Sequence, residues 1–154
     1  MINMKAERQF IGNSTYRSRL VDGHFHTELC PHGSGDRTAL MIEKAIELRI
    51  EKVCLTEHAP LPKAFEAEYG GDKIAYDTAS LKLNQVDSYL ELGRELQRAY
   101  GTHIDILLGF EVDYIPGFES DIQDFLDRYG PLTDDNILSV HFMDGVGGKY
   151  YFVD

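Results

Sequence analysis

Apolar residues follow two different periods along this chain. Short runs with alternating or continuous apolar positions predict strands over residues 19–26, 51–58, 103–114 and 136–143. Apolar residues at intervals of three and four positions predict helices over residues 36–50, 80–101 and 117–130. Strands that alternate with helices are typical of parallel β/α units, so the pattern predicts an α/β domain.

The segments between these elements are less regular. Residues 59–77 contain two prolines and two glycines, which predict a long loop. We expect Ser80 to cap the helix that follows this loop and Gly101 to end it. Residues 1–18 are polar and weakly patterned, and they are predicted to form an extension before a domain that covers residues 19–154.

Side chains that bind metal ions stand at the carboxyl end of every predicted strand. The residues at these positions are His24, His26, His58, Glu111 and His141. In parallel α/β folds the carboxyl ends of the strands lie on one face, where active sites are built. This shared position predicts one metal site, in which the two oxygens of Glu111 can bridge two ions.

The segment from Asp22 to Gly33, DGHFHTELCPHG, is the densest part of this pattern. Side chains two positions apart on a strand point to the same side, so His24 and His26 can bind one ion while Phe25 faces the other way. His32 lies in the turn that follows, where proline and glycine allow the backbone to fold back over the strand end.

Other residues in and around the pattern have simpler interpretations. His103 stands at the amino end of the third predicted strand, far from Glu111, so we expect it to take no part in the site. Cys30 lies near the histidines, but a small buried side chain is favoured over a ligand. The glycine-rich segment 144–151 lacks the strand and helix that frame a phosphate-binding loop, so it predicts a turn.

Composition narrows the functional classes. The chain has 154 residues, 43% of them hydrophobic and 27% charged, as expected for one globular domain. Its net charge of −11 repels phosphate backbones and speaks against a nucleic-acid partner, so an anionic substrate would need local positive charge such as bound metal.

Cys30 and Cys54 form no zinc-knuckle or disulfide pattern, which favours a reducing, cytoplasmic setting. No apolar run predicts a membrane span or a signal peptide.

Four segments, in this order and spacing, carry a family resemblance: DGHFHTELCPHGSG, LTEHAPLP, GFEVDY and TDDNILSVHFMDG. Together they resemble the polymerase and histidinol phosphatase (PHP) family, specifically its histidinol-phosphate phosphatase branch. The resemblance implies a distorted (β/α)₇, TIM-like barrel with a centre of two to three divalent ions, zinc, manganese or iron, that hydrolyses phosphate monoesters. With four predicted strands, the chain resembles the N-terminal portion of that barrel.

The resemblance also implies a role for each candidate ligand. His24 and His26 match a pair on one metal, His32 and His58 match ligands of a second, Glu111 matches the bridging carboxylate, and His141 matches a ligand of the third. The family's later histidine and its terminal Asp-x-His have no counterpart after His141. We therefore expect a domain truncated on its C-terminal side, with two unpaired sheet edges and with the strands around Leu20, Val53, Ile106 and Ile137 uncovered. A homodimer would have to close this barrel if the chain were complete.

These features lead to three functional hypotheses. The first is a phosphomonoesterase that hydrolyses L-histidinol phosphate in histidine biosynthesis, with a metal-activated water as nucleophile and no catalytic side chain assigned. Residues 59–77 are then a candidate for binding the substrate's ammonium group, because they follow His58 directly. The second is a PHP-type phosphodiesterase or exonuclease acting on nucleotides. The third is an inactive fragment that binds metal without turnover.

Overall fold

The computed structural model describes residues 20–145 and 147–153. The extension predicted for residues 1–18 lies outside this range. In chain order the strands are β1 (Val21–Phe25), β2 (Lys52–His58), β3 (Asp105–Asp113), β4 (Ile137–Ser139), β5 (Phe142–Asp144) and β6 (Tyr150–Phe152). The helices are α1 (Thr38–Glu47), α2 (Lys73–Thr78), α3 (Val86–Tyr100) and α4 (Glu119–Tyr129). No helix within the described ranges has the length and apolar character needed to cross a membrane.

A parallel sheet with the order β1-β2-β3-β4 forms the centre of the fold. Its register pairs His58 of β2 directly with Glu111 of β3, and Glu111 in turn with Ile137 of β4. The α/β prediction is confirmed, and the carboxyl ends of the four strands meet at one edge. This register is what places the candidate ligands of different strands side by side.

The core lies where α1, α3 and α4 cover the two central strands. Val53 and Ile106 are buried, whereas Leu20 at the β1 edge is half exposed. The expectation that an open sheet leaves Leu20, Val53, Ile106 and Ile137 uncovered is therefore wrong for Val53 and Ile106 and correct for Leu20, while Ile137 is partly buried. Helices on the sheet bury both central strands regardless of the edges.

The fourth predicted strand is wrong in its extent. Instead of one strand over 136–143, the chain forms β4, a break at His141, and β5, which turns back antiparallel to β6. The backbone N–H of His141 donates to the Asp113 carboxylate at 3.1 Å, so this residue leaves the strand ladder. Within the glycine-rich segment, Gly147 and Gly148 lie between β5 and β6 at positive φ, as the predicted turn requires.

The segment 59–77 is not the long loop that its prolines and glycines predicted. It contains a 3₁₀ helix, Lys63–Ala67, and then α2, whose first turn is capped by the Asp72 carboxylate accepting from the backbone N–H groups of the second and third helical residues. Phe65 anchors it, because its ring is fully buried against Ile115 and Phe142. This second apolar cluster holds the segment against the β5–β6 hairpin.

The predicted capping role of Ser80 is also wrong. Its hydroxyl donates to the Leu81 carbonyl, and α3 begins only at Val86, after a 3₁₀ turn at Leu83–Gln85. Gly101 does end α3, as expected. The buried side of α3 includes Tyr89, whose hydroxyl lies between β2 and β3 and accepts from the backbone N–H of Glu57.

Gly109 of β3 is required by a close backbone approach, and this generates a stability prediction. A Cβ at this position would lie 1.3 Å from the carbonyl oxygen of Asp135, in the connection that leads to β4. We expect Gly109→Ala to lower the free energy of unfolding by about 1–3 kcal/mol or more, because backbone must move. Urea unfolding measures this loss.

Gly130 provides the matched control. It has a φ of −54° and open space around its Cβ position, so Gly130→Ala should leave stability unchanged or raise it slightly. Equal stability of the two variants would contradict the close approach at Gly109.

Candidate metal centre

A cavity of about 430 Å³ opens at the carboxyl ends of the parallel strands. All six candidate ligands line it. They are His24, His26, His32, His58, Glu111 and His141. The remaining wall consists of Ala75, Thr78 and Ala79, at and just after α2, together with Phe152 of β6. The structure thus brings together every candidate ligand that the sequence pattern singled out.

Glu111 lies at the centre of this arrangement and is 4% exposed. Its Oε2 atom is 3.4 Å from His24 Nε2, 3.5 Å from His26 Nε2 and 3.2 Å from His58 Nδ1. Its Oε1 atom is 3.5 Å from His141 Nε2. One carboxylate therefore faces four imidazoles from three other parts of the chain.

His32 occupies a more peripheral place in the cavity. Its ring centroid lies 5.0 Å from that of His58 and 6.2 Å from that of His26. Its Nδ1 atom is 2.8 Å from the carbonyl oxygen of Thr78, at the end of α2. Among the described residues, two of the clustered donor sets that could hold an ion contain Glu111, one with His24 and His26 and the other with His58 and His141, and His32 belongs to neither.

Three of the rings are held from behind by partners that the sequence reasoning missed. The Nδ1 atoms of His24, His26 and His141 lie 2.7 Å from Thr56 Oγ1, 3.0 Å from Glu57 Oε1 and 2.9 Å from Asp113 Oδ1, respectively. With Nδ1 engaged, the Nε2 atom of each ring faces Glu111 and the cavity. Such outer partners orient metal-binding histidines and set their tautomers. The signal available in the sequence was that each partner is one or two positions from a candidate ligand.

The His26–Glu57 pair is strongly polarised. Burial opposes ionisation of Glu57, yet the hydrogen bonds from His26 and Thr27 outweigh it and hold the pKa of Glu57 below its ordinary value. Burial likewise opposes protonation of His26, but the hydrogen bond to Glu57 and the charges of Glu57 and Glu111 raise the pKa of His26. The pair therefore favours a carboxylate that accepts from the imidazole.

Two buried atoms at the floor of the cavity test whether a metal ion fits. His58 Nδ1 and Glu111 Oε2 have no hydrogen-bond partner among the described residues. They lie 3.2 Å apart, but their mutual geometry does not make a hydrogen bond. Buried polar atoms are rarely left unsatisfied, and a nitrogen and a carboxylate oxygen are ligands of zinc, manganese and iron alike. The donor set fits a divalent cation.

His58 is also kept in the state that binds metal. Burial, together with the adjacent rings of His26 and His32, lowers the pKa of His58 to about 3. A neutral imidazole presents a lone pair, whereas a protonated one does not.

Cys30 and His103 lie where the sequence placed them. Cys30 is buried beside His26 and Glu57, and burial raises the pKa of its thiol to about 11, so it stays a neutral thiol. His103 lies in the turn before β3, and its ring contacts the Thr102 hydroxyl at 2.9 Å. It is at the opposite end of β3 from Glu111, as expected.

A model of the PHP domain family matches residues 22–153, so the chain belongs to this family. The resemblance drawn from the four sequence segments is confirmed. The histidinol-phosphatase of Bacillus subtilis (strain 168) is 41% identical over 122 residues, which cover 79% of this chain and 44% of that protein. The chain thus spans about half the length of the relatives it matches.

Two solved structures share the fold. A candidate histidinol phosphatase from Listeria monocytogenes has a TM-score of 0.82 at 43% identity, covering 84% of this chain and 47% of that one. The histidinol phosphate phosphatase of Lactococcus lactis, crystallised with zinc, L-histidinol and phosphate, has a TM-score of 0.62 at 24% identity. The match covers 84% of this chain and 42% of that one. The expected class, a portion of a TIM-like PHP barrel, is confirmed.

The environment of His58 leads to a prediction about pH. We expect its ring to stay neutral in the metal-free folded protein from about pH 7 to about pH 5, because its folded pKa is about 3. The unfolded chain takes up a proton at this ring near the ordinary pKa of about 6.5. The contribution of His58 to the free energy of unfolding is therefore fully present above about pH 6.5, and it is lost progressively as the pH falls from this value to about 3.

Ring carbon shifts followed by NMR during a pH titration measure this property. The urea-unfolded chain serves as the reference for an ordinary histidine. A His58 signal that titrates near pH 6.5 in the folded protein would contradict the desolvated environment at the cavity floor.

Proposed function

We propose that this chain carries the metal centre of a phosphomonoesterase that hydrolyses L-histidinol phosphate to L-histidinol and phosphate, in histidine biosynthesis. The observation that carries the proposal is the convergence of six candidate ligands on one cavity, with four imidazoles around Glu111. The 41% identity to the Bacillus subtilis histidinol-phosphatase supports the choice of substrate. We assign residues 19–154 to the PHP domain and residues 1–18 to an extension.

The ligand assignment combines the family resemblance, which places His58 and His141 on different ions, with the distances in the cavity, which also allow these two rings to share one ion with Glu111. We assign His24 and His26 to one ion, His58 to a second and His141 to a third, with Glu111 shared because both of its oxygens face imidazoles. His32 is proposed as a further ligand of the ion at His58, because the two ring centroids are 5.0 Å apart. Two to three divalent ions would be held, and zinc is the first to test, since the Lactococcus lactis protein was crystallised with it.

The charges around the cavity support a metal-dependent reaction. None of the described residues that line it is a lysine or an arginine, so this part of the chain offers a phosphate group imidazoles but no permanent positive charge. When bound, divalent ions supply that charge and lower the pKa of a coordinated water. The residues then have defined tasks: Glu111 and the histidines hold the ions, while Glu57 and Asp113 orient His26 and His141.

The wall of the cavity supports a small substrate. Ala75 of α2 lines the cavity together with the histidines, so part of the segment 59–77 reaches the site as the ammonium-binding proposal requires. The net charge of −11 suits a substrate with a cationic end and disfavours nucleic acid. We further propose a cytoplasmic setting, because both cysteines are free. We also propose that a homodimer closes the open sheet edges where no other segment of the protein covers them.

The first test is activity. Zinc-loaded or manganese-loaded protein should release phosphate from L-histidinol phosphate, and chelation should abolish the release. The double change His24→Ala, His26→Ala should remove at least one equivalent of metal and nearly all activity, because both rings face the same oxygen of Glu111. Phosphate release and elemental analysis are the measurements.

The rival hypotheses give different outcomes in the same assay. Preference for a nucleotide diester would replace the proposal by a PHP phosphodiesterase. Metal binding without turnover, in the 154-residue chain and in any longer native version assayed beside it, would leave only a metal-binding role.

The second test concerns the shared carboxylate. Glu111→Gln keeps the size of the side chain but removes the charge that offsets adjacent dications, so at least one ion should be lost and activity should collapse. The circular dichroism spectrum should stay close to that of the original protein, because the change creates no cavity. Excess metal should restore part of the activity by mass action.

His103→Ala is the matched control for this change. It lies outside the cavity, so its metal content should be unchanged and its stability should fall by at most about 1 kcal/mol. Full metal content and full activity in Glu111→Gln would rule out the shared-ligand arrangement.

A further inference from the structure

Glu57 lies behind the residues that line the cavity, and its side chain makes more hydrogen bonds than any other described side chain in this region. It is fully buried in β2. Its Oε2 atom accepts from the backbone N–H of Thr27 at 2.9 Å and from the Thr27 hydroxyl at 2.7 Å. Its Oε1 atom faces His26 Nδ1 at 3.0 Å and accepts from the backbone N–H of His58 at 3.3 Å. One carboxylate thus links the ends of β1 and β2 at two candidate ligands.

These contacts leave His26 little choice of tautomer. An ionised carboxylate only accepts hydrogen bonds, so the neutral ring must carry its hydrogen on Nδ1 to satisfy the contact with Oε1. Its Nε2 atom then presents a lone pair to the cavity, 3.5 Å from Glu111 Oε2. We propose that Glu57 is a positioning residue that fixes His26 in its metal-binding tautomer, an inference that rests on the metal centre proposed above.

The Asp113–His141 contact has a different geometry and provides a contrast. Its donors all meet one oxygen, Oδ1: the backbone N–H of His141 at 3.1 Å, the ring Nδ1 at 2.9 Å and the Ser139 hydroxyl at 3.4 Å. An asparagine can keep a carbonyl oxygen at this position and accept from all three. At Glu57 the donors are divided between both oxygens, so a glutamine cannot replace it in the same way.

The substitution Glu57→Gln therefore forces a change at His26. Either orientation of the glutamine amide sets its NH₂ group against one backbone donor, Thr27 N–H at 2.9 Å or His58 N–H at 3.3 Å. The shorter contact favours the amide oxygen at Thr27, which turns the NH₂ group towards His26 Nδ1. To accept from that group, the ring must move its hydrogen to Nε2. Nε2, the nitrogen that faces the cavity, then carries the hydrogen and has no free lone pair. Before the ring binds metal, the hydrogen must return to Nδ1, where it points at the NH₂ group of the glutamine.

The experiment compares zinc binding and tautomers in the protein and three variants. Zinc affinity is measured by competition with a chromophoric chelator. The tautomers are read from ¹⁵N shifts of the metal-free protein near pH 9, where imidazoles are neutral. We expect Glu57→Gln to bind zinc about 10–100-fold more weakly, as is typical when an outer partner of a ligand is lost, and to carry the His26 hydrogen on Nε2.

Two variants separate the tautomer from loss of charge. Asp113→Asn should keep the Nδ1 hydrogen on His141 and lose less affinity than Glu57→Gln. Glu47→Gln removes a charge from exposed Glu47, which pairs with Lys44 on α1, and should leave zinc affinity unchanged. An equal loss in Asp113→Asn and Glu57→Gln, with both tautomers intact, would overturn the inference in favour of a simple charge effect.

The original protein alone also tests the inference, whether or not the variants fold. A hydrogen on Nε2 of His26 in the metal-free protein would overturn it directly. If the protein binds zinc and a folded Glu57→Gln binds it equally well, the inference fails while the metal centre stands. If the protein binds no zinc, the proposed centre fails and this role of Glu57 fails with it.

Discussion

Burial of the Glu111 carboxylate is the constraint on which the site depends. A carboxylate withdrawn from water is costly unless positive charge or hydrogen-bond donors surround it. Four imidazoles approach Glu111, but none makes a hydrogen bond to its Oε2 atom, and His58 is held neutral by its own burial. The described groups around Glu111 therefore compensate its charge incompletely. A divalent cation among these ligands would supply what is missing, which is why the arrangement is better explained as a metal centre than as a structural network.

The parallel register creates this arrangement at little conformational cost. Pairing of His58 with Glu111 places two donors on adjacent strands at the same level, where neighbouring strands are less than about 5 Å apart. The strand register also positions Asp113. It follows Glu111 by two positions on β3, and its carboxylate reaches His141, which follows the end of β4. Hydrogen bonds hold the pKa of Glu57 low, so Glu57 adds negative charge behind the His26 ring, which would increase the basicity of this ring and its affinity for a cation.

The part of this site that the sequence predicted is the part set by strand periodicity. His24, His26 and Glu111 could be placed on one face because side chains alternate along a strand and parallel strands end together. The break before β5 could not be predicted in this way. It depends on the Asp113 carboxylate accepting from the backbone N–H of His141, which a continuous strand would use for pairing in the sheet. The fold of segment 59–77 depends on burial of Phe65 against residues distant in the sequence, which local turn signals do not contain.

The exposure of the ligands indicates the direction from which a substrate would approach. Counting side-chain atoms alone, His58 is 8% exposed and Glu111 is 5% exposed, whereas His24 is 45% exposed. The first two form the floor, and His24 stands at the rim. His141 is intermediate, and its ring stacks on Phe152 at a centroid distance of 5.7 Å, so the β5–β6 hairpin covers that side. Among the described residues, access is therefore open past His24, and the phosphate group of the proposed substrate would reach the candidate ligands from that side before the rest of the substrate reached α2.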